Sequence, residues 1–371
     1  MSAILRMLAD GLRWRDRSVV TIPPMDGAFR PNTLLDSAQV LLRVDAPDNL
    51  IVDDERILFS SGRSVLTLPE MTGTRSIAPV SVARFDHRIA CLAARPGGGF
   101  AAGLEDGRIV IAGGRRHEIP AGGMALAELA CPVAMSFADE NTLYVCAGSR
   151  QNPPSEWKRD LMQRNASGSI WRIDVTDNRS CRLACDLAFP FGVISIEAGS
   201  LLVSESWRHR LITIAADGTQ SPRPVLANLP GYPARLAAAS GGGFWLSIFA
   251  PRNRLTEFVL QESRYRIDML REVHPEHWIG PRLATGRSFL EPLQCGSVRS
   301  MGMLKPWSPS ASYGLIVRLD ARYQPVQSFH SRAGGLHHGT TSCLEVAGRL
   351  IVTSKGGNSI LSINLPLTAP A

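Results

Sequence analysis

Few side chains in this sequence are suited to chemistry, and most stand where short apolar segments begin. Arg235, two residues after Pro233, carries a planar fork of donors able to grip a carboxylate or phosphate through two parallel hydrogen bonds. His338, within His337-His338-Gly339-Thr340-Thr341, titrates nearest neutrality and is the candidate general acid or base. Asp48, in Pro47-Asp48-Asn49-Leu50, is the second catalytic candidate. A His-His pair beside a glycine serves equally well as a hydrogen-bonded strand start, so binding and catalysis both stay open for it. Trp157, Lys158 and Arg159 fall in a polar segment, 149–167, which reads as a pocket rim or as a plain surface loop. Arg208, His209 and Arg210 read as a solvated turn, and Glu205 and Trp207 as packing residues. No G-x-S-x-G elbow, P-loop or dinucleotide fingerprint is present.

The segments that must position these residues repeat. Between Leu187 and Arg252 one phrase occurs twice: a proline, an alternating apolar stretch, a glycine-containing turn and a second apolar stretch, with Pro190 and Pro233 43 residues apart. That period suits one four-stranded blade of a β-propeller, and period-two alternation excludes a helical repeat. Pro47 and Pro132 stand 85 residues apart, two periods, with a copy from Arg88 between them that includes an Asp106-Gly107 hairpin turn. A sixth copy is placed at Tyr313 to Asp320. The strand at Ser359 to Leu365 is expected to close the ring with one near Val40. The predicted architecture is therefore all-β, a six-bladed propeller over 39–371 preceded by an N-terminal arm, 1–38, whose Ala3 to Leu12 reads as a short helix. Two insertions, 149–167 and 254–312, are expected over the pocket face. The second is read as helical because Leu255, Phe258 and Val259, then Ile267, Leu270 and Val273, recur at helical spacing.

Bulk properties narrow the function classes. The net charge is +7, almost wholly arginine, with Lys158, Lys305 and Lys355 the three lysines, and it is not gathered into a basic tract. An anionic small molecule is the expected partner, and neither nucleic acid nor membrane is. No apolar run reaches the roughly 18 residues that span a bilayer. The N-terminus lacks an apolar signal region, so cytoplasmic residence is the default expectation. The 7 cysteines are scattered and read as buried thiols, and the Cys181/Cys185 pair lacks the second half of a metal site.

Several motifs occur in an order that resembles the strictosidine-synthase-like family, which groups with the gluconolactonase and arylesterase propellers. They are SEWKRDLM and GSIWRID, LAFPFGV, LLVSESWRHRLI, LPGYP, GGGFWLSI and TSCLEVAGRLIVTS. The resemblance runs from about Asp45 to the C-terminus and is strongest from Ser155 to Arg252. It implies a pocket at one end of the central channel, here formed by Asp48, Phe191, Arg235, His337, His338 and Thr341, with Trp157 at the rim. Thr341 falls where strictosidine synthase carries its glutamate, and a threonine hydroxyl does not titrate near neutrality, so that condensation is not carried over. Metal-dependent relatives bind calcium through oxygen ligands. Asp48 matches their first acid, but Phe191 and Ala234-Arg235 replace later ligands. The expectation is a metal-independent enzyme, without cofactor, that hydrolyses a small anionic substrate or makes or breaks a C–N or C–O bond in it, as a lyase or by condensation. A calcium-dependent lactonase and a non-catalytic binding propeller are the alternatives.

Overall fold

The computed structural model describes residues 21–69, 78–113, 129–196, 199–284, 299–300, 303–304 and 310–366. The helix expected at Ala3 to Leu12, and Cys295 and Lys305, lie outside these residues. Six antiparallel sheets form a six-bladed propeller. Their innermost strands are Asp48–Asp53, Ile89–Ala94, Pro132–Phe137, Pro190–Ile196, Gly231–Ala238 and Thr340–Val346. The second blade shows three strands among the described residues and the other five blades four each.

Middle strands are apolar on both faces because a neighbouring blade covers each face. Leu201, Leu202 and Val203 are all fully buried, as are Ile316 and Val317 in the next blade. Such strands appear in the sequence as unbroken apolar runs, where a half-exposed strand would alternate. Each of the six junctions between blades holds its own hydrophobic cluster. At the junction of the fifth and sixth blades, for example, Trp245, Ile316 and Phe329 meet Cys343, Leu350, Val352 and Leu361. Close approach also constrains side chains at the channel: a Cβ on Gly192 would lie 2.5 Å from the Ala234 carbonyl oxygen of the next blade.

The ring closes as expected. Gln39–Arg43 pairs antiparallel with Ser359–Asn364, in the register Gln39 with Ser362 and Arg43 with Ser359, so both ends of the propeller share the sixth blade. Ahead of this strand, Gly27–Phe29 and Leu35 lie along the fifth blade, where the Leu35 N–H donates to the His330 carbonyl.

One assignment from the repeat is corrected. The strand Gly314–Leu319 does not begin the sixth blade. It pairs with Phe244–Pro251, Leu246 facing Val317, and with Pro325–Ser331 completes the fifth; the sixth blade begins at Thr340. The long insertion therefore interrupts a blade between its second and third strands, and alternation within a strand carries no record of which partner lies across such a gap. The short insertion sits likewise between the second and third strands of the third blade and contains helix α1, Trp157–Gln163. The long one contains α2, Arg254–Gln261, and α3, Ser263–Glu272, in place of one continuous helix. Asn253 caps α2 by accepting the Thr256 N–H at 2.8 Å, and the chain turns at Glu262, whose ψ of 83° is not helical. No helix among the described residues is long and apolar enough to cross a membrane.

The two insertions pack on each other. Arg266 of α3 donates to the Met162 carbonyl of α1, and Lys158 Nζ donates to the Trp278 carbonyl at 3.1 Å. Their apolar faces join Tyr232, Ala234 and Phe249 of the fifth blade in a seventh cluster.

Leu361 is fully buried beside the closing strand and pairs with Val40. Leu361→Ala is expected to reduce unfolding free energy by about 2–5 kcal/mol, measured as a lower urea midpoint with an unchanged slope.

Candidate functional site

The inner strands begin at one end of the channel, and there their first residues converge on Arg235. Its guanidinium touches every other blade. Nη1 donates to Asp48 Oδ1 at 2.8 Å in the first blade and to the Thr341 carbonyl at 3.4 Å in the sixth. Nη2 donates to the Ala90 carbonyl at 2.8 Å in the second and the Val133 carbonyl at 2.9 Å in the third. In the fourth blade the Phe191 ring lies under it, with Cζ 5.0 Å from the ring centroid.

Asp48 is the counterpart. Besides Arg235, its carboxylate accepts the Thr341 hydroxyl at 2.7 Å, the Asn49 N–H at 2.9 Å and, through Oδ2, the Lys355 ammonium at 2.9 Å. Burial alone would raise its pKa; the charges of Arg235 and Lys355, with the Lys355 and Thr341 hydrogen bonds, outweigh that and hold it at about 2. A carboxylate so held neither donates nor takes a proton near neutrality. Asp48, expected as a catalytic group, is thus an anchor for two cations.

Above this floor lies a cavity of about 320 Å³. Asp48, Ser60, Arg88, Arg235, Thr341 and Lys355 give it a polar side of net positive charge. The rest of its lining is largely aromatic, with Trp157, Phe189, Phe191 and Phe249 beside Leu283. Trp157 meets Phe249 edge-on at 5.3 Å between centroids, and Phe189 stacks on Trp207 at 4.4 Å. Trp157 and Leu283 come from the two insertions. Glu105 also lines the cavity, and its Oε1 accepts the Ser155 N–H at 2.6 Å.

The structure thus brings together Asp48, Phe191, Arg235, Thr341 and Trp157. It does not bring His337 and His338, neither of which lines this cavity. His338 is buried with Nδ1 2.8 Å from Ser312 Oγ and Nε2 2.8 Å from the Arg332 carbonyl, and burial lowers its pKa. It therefore stands outside the cavity where an acid/base role was expected of it, with a hydroxyl and a carbonyl at its two nitrogens. His337, likewise lowered by burial, has Nδ1 3.2 Å from Ser359 Oγ. His209 is not in a solvated turn: it is buried against the Gly231 carbonyl and Glu257, and burial, then Arg252, lowers its pKa to about 3. Glu205 is fully buried between Arg208 and Arg210.

Lys355, Phe189, Phe249, Arg88, Glu105 and Leu283 are among the cavity residues that no sequence signal assigned to the site. Lys355 alone stands out in the sequence, as a rare lysine in an arginine-dominated chain, just past a strand and before Gly356-Gly357.

A scan against models of protein families finds no match, and a search of curated proteins finds none either. Solved structures do match. One is a gluconolactonase from Xanthomonas campestris, with TM-score 0.53 and 14% identity over 90% of this chain and 89% of that one. Another is a calcium-binding protein, regucalcin, from Agrobacterium tumefaciens, with TM-score 0.52 and 10% identity over 89% and 94%. At these identities the likeness is one of fold.

The calcium of that second protein can be tested against these residues. Calcium takes about six to eight oxygens at roughly 2.3–2.6 Å. Here the oxygens of four blades already receive guanidinium N–H groups, the fourth blade offers a ring, and Lys355 occupies the other Asp48 oxygen. Two resident cations on one carboxylate leave this floor no negative charge for a divalent ion, and calcium does not fit it. Among the described residues no group of three or more His, Cys, Asp and Glu is placed to hold a metal.

The unfolded chain binds a proton on Asp48 near 3.8 and the folded chain at about 2. Stability from this group is therefore complete above about pH 4 and is lost as pH falls toward 2. Asp48→Asn is expected to be about 2 kcal/mol less stable at pH 7, and to lose less than the parent between pH 4.5 and 2.5, in urea titrations at each pH. His209 and His330, held near 3 and 4 chiefly by burial, add a separate loss beginning below about 6.5 in any variant that keeps them.

Proposed function

We propose that this chain is a metal-independent propeller enzyme that hydrolyses an ester or lactone of a small anionic organic molecule with an apolar body. The observation that carries this reading is a cavity whose lining combines the cations Arg88, Arg235 and Lys355 with the aromatic rings of Trp157, Phe189, Phe191 and Phe249. The apolar body packs on Trp157, Phe191 and Phe249, and Arg88 at the rim draws the anionic group. Lys355 is the residue suited to the acyl oxygen: its side chain is 30% exposed, whereas that of Arg235 is committed to the floor. As water adds to the carbonyl carbon, the Lys355 ammonium stabilises the developing oxyanion. Glu105 takes the proton of that water. When the acyl C–O bond breaks, the proton passes to the departing oxygen, so water is divided between the acid and the alcohol. The motif order that resembles the strictosidine-synthase-like family, and the fold shared with a gluconolactonase, support a propeller enzyme of this kind.

A second reading is a binding propeller without turnover. It is favoured by the Asp48 carboxyl, which at about 2 leaves the floor no proton to exchange near neutrality.

A panel of lactones and aryl esters carrying a carboxylate separates the two. Lys355→Met is expected to lower kcat/KM on the order of 10²-fold, and Trp157→Ala to raise KM with a smaller effect on kcat. Saturable binding that quenches tryptophan fluorescence, with no turnover of any member, would select the binding reading. Neither binding nor turnover would reject both.

A further inference from the structure

The oxygens around Arg235 form a set matched to its shape. The two terminal nitrogens of a guanidinium carry four N–H bonds. Here those nitrogens have four acceptors, Asp48 Oδ1 and the carbonyls of Thr341, Ala90 and Val133, each from a different blade, at 2.8–3.4 Å. The fifth donor, Nε, is buried and makes no hydrogen bond. The group is therefore held by its terminal nitrogens and by the Phe191 face, and the aliphatic stem serves as a tether. Past the guanidinium the channel continues as a second cavity of about 180 Å³, lined by Asn49, Met135, Val193, Cys343 and the same Arg235. The side chain divides one channel into two chambers.

We propose that this ring is a binding site for a planar, resonance-stabilised organic cation, which the chain fills with its own arginine to lock the blades at the channel mouth. The acceptors are split between two nitrogens, two on each, over a flat aromatic ring. A point charge cannot reproduce that distribution: an ammonium ion presents all its donors tetrahedrally from one atom, and a metal ion requires its oxygens drawn in around one centre. With the tether cut, the ring should take free guanidinium from solution. This inference concerns the ring alone and holds whether or not the chain is an enzyme.

The test is Arg235→Ala in full-length protein, followed by thermal unfolding against added guanidinium, ammonium or calcium at equal ionic strength and concentrations far below those that denature. Loss of the arginine is expected to lower Tm by several degrees, because Asp48 and three carbonyls lose their buried donors. Millimolar guanidinium should restore most of that loss with saturation, while ammonium and calcium do not, and the parent protein should respond to none. Methylguanidinium, with the methyl where the stem stood, should restore it at least as well. If Arg235→Ala does not fold unaided, its refolding yield from urea with guanidinium against ammonium reads the same question. Equal effects of guanidinium and ammonium, by either readout, would overturn the proposal. So would stabilisation by calcium, which would make the ring a metal site.

Discussion

The buried pair of Asp48 and Arg235 is the contact on which the site depends. Two opposite charges withdrawn from water at the mouth of the channel are expensive unless every donor and acceptor nearby is satisfied. Here most of the cost is met: the carboxylate accepts from Arg235, Thr341, Lys355 and a backbone N–H, and the terminal nitrogens of the guanidinium reach oxygens on four blades, which leaves Arg235 Nε and Asn49 Oδ1 without a hydrogen bond. Well-packed apolar groups would be cheaper to bury than this pair, but they could not hold four blades by their backbone oxygens. The pair therefore sets the register of the blades at this end, and the interblade clusters supply most of the burial.

The same arrangement decides what the cavity offers a ligand. Arg235 and Asp48 are used up in holding each other, so the polar groups left to act are those at their margin, above all the Lys355 ammonium. The aromatic wall has a separate origin. Phe189, Phe191 and Phe249 come from the propeller, but Trp157 belongs to the short insertion and is placed by α1. Asp160 of that helix accepts the Trp207 indole N–H at 2.8 Å and the Asn152 amide at 2.9 Å, which fixes the helix to the fourth blade. The long insertion braces α1 from outside, with the Arg159 guanidinium 5.2 Å from the Trp278 ring centroid. Removing either insertion would leave a cation cluster in an open funnel, where water would weaken every interaction described.

Blade count, ring closure and the stretches of chain that form the insertions were legible in the sequence because they rest on local signals: period-two alternation, unbroken apolar runs such as Leu201-Leu202-Val203, and turn residues such as Asp106-Gly107. Asp48, Phe191, Arg235 and Thr341, all read from the sequence as inner-strand residues, line one cavity. Assigning Tyr313 to a new blade failed because a strand's own pattern does not say which strand it pairs with across a long insertion. His338 misled for a related reason: a histidine's chemistry depends on what meets its nitrogens, and Ser312 and Arg332 are not implied by any motif around it.

By itself, the sequence determined the all-β repeat and the number of blades. Only the tertiary structure decided what the site residues do. Asp48 meets Arg235 across 187 positions and Lys355 across 307, and each of these bonds exists only once the ring has closed. The charges of Arg235 and Lys355 then settle the protonation of Asp48, and burial lowers the pKa values of the histidines. Local pattern specifies strands because backbone geometry repeats every two residues; a site at the axis of a ring is specified by closure, which no local pattern records.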